Sequence, residues 1–175
     1  MPLLKRIEPS GLDDPIVLPD KDIPVTEVLA EVLLVAYVFD LPGAFRYVSF
    51  VDCARLEVPA GELRALAVRN LTRLRTRPQI KQGPAAAMFV LDGNLEASLL
   101  LVDHLWDQIG PQLPGDLIAA VPARDSLAVT GSEIPGGVDA LNHAVERVWQ
   151  RSETRLLLTR SLLTRNGATW GRYTG

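Results

Sequence analysis

One cysteine, two histidines and few aromatic residues are all that this sequence of 175 residues offers to chemistry that needs them. With Cys53 alone, no intrachain disulfide can form, and no nucleophile signature surrounds the thiol, so a buried inert cysteine is expected. His104 has Asp103 and Asp107 beside it at helical spacing, and His143 stands far off in sequence. Zinc needs three or four converging ligands, so no metal site is expected. There is no Gly-x-Ser-x-Gly elbow, no phosphate-loop lysine and no dinucleotide glycine spacing, and no cofactor is expected. Long hydrophobic runs are missing too. The longest, residues 28–39, is interrupted by Glu31 and falls short of the ~20 residues that cross a bilayer. The opening MPLLKRIEPS lacks the apolar segment of a secretory signal. These absences predict a cytoplasmic protein without a membrane partner.

Net charge is −3, which disfavours a general affinity for nucleic acid. The charges are segregated, however. Between residues 63 and 91 every charge is positive: Arg64, Arg69, Arg73, Arg75, Arg77 and Lys81. The flanking stretches, residues 1–62 and 92–154, are acidic, and from Arg155 onward only arginines appear. Such blocks either face one another or meet a partner of opposite sign. No aromatic side chains interleave with the basic block to stack bases, so weak nucleic-acid binding through it is the lesser reading.

Five prolines within residues 1–24 predict an extended arm, with Ile7 or residues 16–18 docked as short strands. Residues 25–175 read as one domain. Residues 25–33 suggest a short helix, and residues 34–39 and 45–48 a hairpin across Asp40–Leu41–Pro42–Gly43. Ser49 is placed to cap a short helix running to Leu56. Leu63, Leu66, Ala67, Asn70, Leu71 and Leu74 fall on one helical face behind Pro59 and Glu62. A polar loop over residues 75–84 precedes a second hairpin, residues 87–91 with 95–101, across Asp92–Gly93–Asn94. Asp103 would cap a helix that turns Leu105, Trp106 and Ile109 inward. A third hairpin joins residues 117–121 to 127–130. Gly136–Gly137 opens a second long helix with Val138, Leu141, Ala144, Val145, Val148 and Trp149 inward. Residues 156–158 suggest a late strand, and Asn166–Gly167 a terminal hairpin closed by Trp170 and Tyr173. The fold class that follows is α+β: a mainly antiparallel sheet built from successive β-hairpins with helices packed on one face.

Four polar residues stand out from this frame. Asn70 is an amide inside an apolar stripe, Glu96 a carboxylate at the start of an apolar run, and Arg124–Asp125 a charged pair at a hairpin tip. Ordinary capping and turn chemistry accounts for each singly. Their convergence on one patch at the sheet edge would make a ligand or partner contact.

The strings LLVAYVFD (33–40), ELRALAVRNL (62–71), LEASLLL (95–101), LW (105–106) and GDLIAAVPARD (115–125), in that order, resemble the DUF1444, or YtpQ-like, family of uncharacterised bacterial proteins. The likeness runs from Val25 to the C-terminus, and typical members are longer at the N-terminus. It implies a bacterial, cytosolic protein. It supplies no activity or catalytic residue, although Asn70, Glu96, Arg124 and Asp125 all lie inside the matching strings. The expected function is therefore a non-enzymatic protein–protein interaction module of unknown partner, with self-association open to it through an exposed edge strand. The alternative is an enzyme or small-ligand-binding protein that uses Asn70, Glu96, Arg124 and Asp125.

Overall fold

LLVAYVFDL opens with a continuous run of mostly branched and aromatic apolar residues that suits a buried strand, and it organises the first of two sheets. The computed structural model describes residues 1–7, 23–74, 77–151 and 156–175. In it β3 (Leu33–Leu41) lies at the centre, flanked by β1 (Pro2–Arg6), β2 (Thr26–Leu29) and β4 (Ala44–Tyr47), all antiparallel to it. The expected hairpin of β3 and β4 is present, closed by Gly43 at φ 75°. The start of the presumed arm is instead a sheet strand. Met1, Leu3 and Leu4 are buried, and the terminal amine donates to the Val38 carbonyl at 2.7 Å. The docking expected of residues 16–18 lies outside the described residues.

Residues 25–33 are a strand and tight turn, not a helix. Ala30 and Glu31 both take left-handed backbone, at φ 52° and 61°, a conformation that costs an L-residue about 1–2 kcal/mol. The pairing of β2 with β3, and burial of Leu29 and Leu33 on the core, outweigh it.

The second sheet runs β10–β9–β7–β8–β6–β5, with β5 (Gln79–Gln82), β6 (Ala87–Val90), β7 (Leu117–Ala123), β8 (Ser126–Gly131), β9 (Leu163–Asn166) and β10 (Thr169–Arg172). β7 is buried along its whole length. Pro122 is tolerated there because the register shifts between Ala120 and Ala123, a bulge at which the ladder needs no donor. Residues 156–158 form no named strand. Leu157 makes one bridge to Ala123, flanked by hydrogen bonds from Arg124 N to Leu156 O and from Leu158 N to Pro122 O, each 2.9 Å.

One hairpin assignment changes. The polar loop after the basic helix contains β5, which is β6's partner, while residues 95–101 are no strand. Ala97–Leu101 is a 3₁₀ turn with all five side chains buried. Buried on every side, this segment gains nothing from the one-face alternation of a strand, and its backbone polar groups find other partners. Leu99 O accepts from the Trp106 indole and Leu100 O from the Trp170 indole, both at 2.8 Å. Ser98 Oγ donates to Pro2 O, which ties this plug to β1.

Ser49 caps α1 (Phe50–Arg55) as expected, in a reciprocal capping box with Asp52. Helix α2 (Leu63–Leu74) packs on β1 and β3 through Leu63, Ala67 and Leu71. Helix α3 (Asp103–Ile109) puts Trp106 fully inward, with Asp103 as its first residue and no side-chain cap before it. Helix α4 (Gly137–Arg151) lies on the other face of the second sheet, where Leu141 and Val145 meet Ile118, Ala120, Ala128 and Leu162. A Cβ on Gly137 would collide with Thr130 Oγ1, so only glycine lets α4 start this close to β8. The fold is α+β with antiparallel hairpins, as expected, but divided into two sheets that feed one buried cluster.

Candidate functional site

Among the described residues no hydrogen bond joins the four candidates to one another; Ala97 N, next to Glu96, donates to Arg124 O at 3.0 Å. The Glu96 side chain turns the other way. It is 2% exposed, and its Oε1 accepts from Leu91 N at 2.9 Å and Gly93 N at 2.7 Å, bracing the turn after β6. Its Oε2 is buried without a partner. Asp125 is exposed at the β7–β8 turn and accepts from Ser126 Oγ at 3.2 Å. Asn70 is half-buried on α2. No side-chain hydrogen bond or ion pair joins any of these four to another among the described residues.

The basic residues are spread over several elements. Arg64 donates to Glu27 Oε1 at 3.1 Å, the same oxygen that accepts from Tyr37 at 2.7 Å. Burial, reinforced by that carboxylate, pushes the Tyr37 hydroxyl well above its ordinary range. Arg69, Arg73, Arg77 and Lys81 are exposed on α2, the following loop and β5. Arg75 lies outside the described residues.

The acids around His104 have a different task. Asp107 and Asp103 both hold Arg165 of β9, at 2.8 and 3.5 Å, and so pin α3 to the second sheet. Among the described residues, no three His, Cys, Asp or Glu side chains gather as a metal site would need. Burial pushes the Cys53 thiol up.

Among the described residues, Asp52 is the one carboxylate held far down. Arg46 donates to it at 2.8 and 3.2 Å and Ser49 N at 3.0 Å, which lowers it from 3.8 to about 2. A depressed carboxylate stabilises the fold above its unfolded pKa, and that contribution fades as pH falls from about 4 towards about 2. Since Arg46 is more than half exposed, solvent screens the pair, and Asp52→Asn should cost about 1 kcal/mol at neutral pH. Urea titrations should show the gap between the variant and the parent closing over that acid window.

Two of the concave surfaces among the described residues bear on function. The first is a slot of about 310 Å³ beside α4, floored by Ala120, Ala128 and Ala144, with Met88 and Val148 on its walls and Arg147 and Arg151 at its rim. The second is a groove of about 460 Å³ between the first sheet and the end of β7, lined by Lys5, Arg6, Tyr47 and Arg124 over Leu34 and Leu158. Lys5 and Arg6 were not singled out because they fall in the stretch assigned to an arm, and PLLKR shows no alternation that would mark a strand. Among the described residues, no helix is long and apolar enough to cross a membrane. Comparison with protein-family models, with curated proteins and with solved structures finds no match to this chain.

Proposed function

We propose that this chain is a protein-interaction module that takes an amphipathic helix of another protein, flanked by acidic residues, into the slot beside α4. The carrying observation is that α4 covers only half of a sheet face. It packs on β7 and β8, while Met88 on β6 stays 51% exposed and all four residues of β5 are exposed. A sheet buries its apolar face beneath a layer of helices, and a second helix lying parallel to α4 would complete that layer over β6 and β5. The alanine floor lets such a helix approach closely, and the unbranched Met88 can repack around an incoming side chain. Lys81 shares the Met88 face by register, and with Arg147 and Arg151 it sets a positive border that favours acidic flanks and steers encounter.

The test places a photo-crosslinking residue at Met88 and, as control, at exposed Thr72 on α2. A discrete heavier adduct from native extract at Met88 only, lost in Arg147→Glu/Arg151→Glu, is the expected result. No adduct, or the same adducts from both positions, would overturn the reading. A product of twice the chain's own mass would replace the foreign partner with a second copy.

A further inference from the structure

The groove between the two sheets holds three cations that no acid answers among the described residues. Lys5 and Arg6 come from the end of β1 and Arg124 from the β7–β8 turn, and no carboxylate lines the groove among the described residues. Lys5 Nζ sits 5.0 Å from the centre of the Tyr47 ring, and the Arg6 guanidinium 5.5 Å from that of Trp149. Both are aromatic contacts that leave the charge itself uncompensated. Arg124 is held more firmly. Its backbone is fixed on both sides, by Leu156 O and by Ala97 N, and its Nε is buried with no hydrogen-bond partner. A buried guanidinium N–H without an acceptor is unfavourable unless a ligand supplies one.

We propose that this groove binds a small organic phosphate, a phosphate monoester on an apolar body. The phosphate answers the cations with a double negative charge and several acceptor oxygens, two of which match the fork of an arginine. The apolar body lies on Leu34, Ala36, Leu157 and Leu158, which floor the same space. The volume is that of a small-molecule site. This site is separate from the slot beside α4 and does not depend on it.

The experiment titrates the full chain with phenyl phosphate and with inorganic phosphate, following amide shifts by NMR and heat by calorimetry. Phenyl phosphate should bind at one site, about tenfold or more tightly than inorganic phosphate because its ring is buried. Shifts should centre on Lys5, Ala36, Tyr47, Arg124 and Leu158. Arg124→Gln, checked for unchanged thermal unfolding, should weaken phenyl phosphate about tenfold or more, and Arg6→Gln should weaken it too without touching the β7–β8 turn. Equal affinity in both variants and the parent, shifts centred elsewhere, or no saturable binding at millimolar ligand would each overturn the assignment. Equal affinity for the two phosphates would remove the apolar body from the proposal and leave an adventitious ion only.

Discussion

Replacing Trp106 with alanine is expected to remove about 4 kcal/mol of stability, out of the roughly 5–15 kcal/mol that holds a domain together. Trp106 is fully buried. Its ring meets Phe89 at 5.4 Å and Trp170 at 5.4 Å, the latter edge-on at 89°. Aromatic pairs in these arrangements contribute about 0.5–1.5 kcal/mol beyond the area they bury. Its indole also donates to Leu99 O, a carbonyl of the buried plug that would lose its partner. An orphaned polar group adds about 1–3 kcal/mol, part of which the cavity recovers if water enters. Urea unfolding followed by far-UV circular dichroism measures the sum, and the melting temperature should fall by roughly 10 °C. Trp106→Phe keeps most of the ring but not the donor, so it isolates the hydrogen bond at about 1–2 kcal/mol. A loss below about 1 kcal/mol for the alanine variant would mean that the plug is held by something other than this residue.

The features that sequence made legible are those whose cause lies within a few residues. Ser49 caps because its own hydroxyl reaches Asp52 N. The stripe of Leu63, Ala67 and Leu71 on α2 and that of Leu141 and Val145 on α4 follow from helical spacing alone. Gly43 and Gly167, both with positive φ, mark two hairpins in advance. What was illegible depends on distant partners. The β2–β3 turn has neither Asn nor Gly, and its left-handed Ala30–Glu31 pair is tolerated only because β3 supplies the ladder. β5 is wholly exposed and has one apolar residue, Ile80, so it carries no alternation to read; β6 defines it. Residues 95–101 displayed hairpin chemistry at Asp92–Gly93, yet two tryptophans from elsewhere satisfy that segment's carbonyls and free it from sheet pairing. Site residues divide the same way. Arg124 was visible as an odd charge at a turn, whereas its companions Lys5 and Arg6 come from the other end of the chain, and no local pattern links them.

Glu96 provides the second large effect, and it separates a buried brace from a ligand contact. One of its oxygens accepts from two backbone donors, Leu91 N and Gly93 N, at a site 2% exposed. Alanine there leaves both donors without that acceptor, and at about 1–1.5 kcal/mol for each the expected loss is about 3 kcal/mol. Glutamine keeps the Oε1 acceptor and places a neutral amide where the unpartnered Oε2 now sits, so Glu96→Gln should lose no more than about 1 kcal/mol. Hydrogen exchange at Leu91 and Gly93 checks the mechanism: both amides should exchange much faster in the alanine variant and near the parent rate in the glutamine one. Because the brace sits directly before Ala97, whose amide holds Arg124 O, a looser turn is transmitted to the groove through one backbone bond. Glu96→Gln should therefore retain the parent's affinity for phenyl phosphate, while Arg124→Gln weakens it about tenfold or more. Loss of affinity in Glu96→Gln with stability unchanged would move the carboxylate from the scaffold into the binding surface.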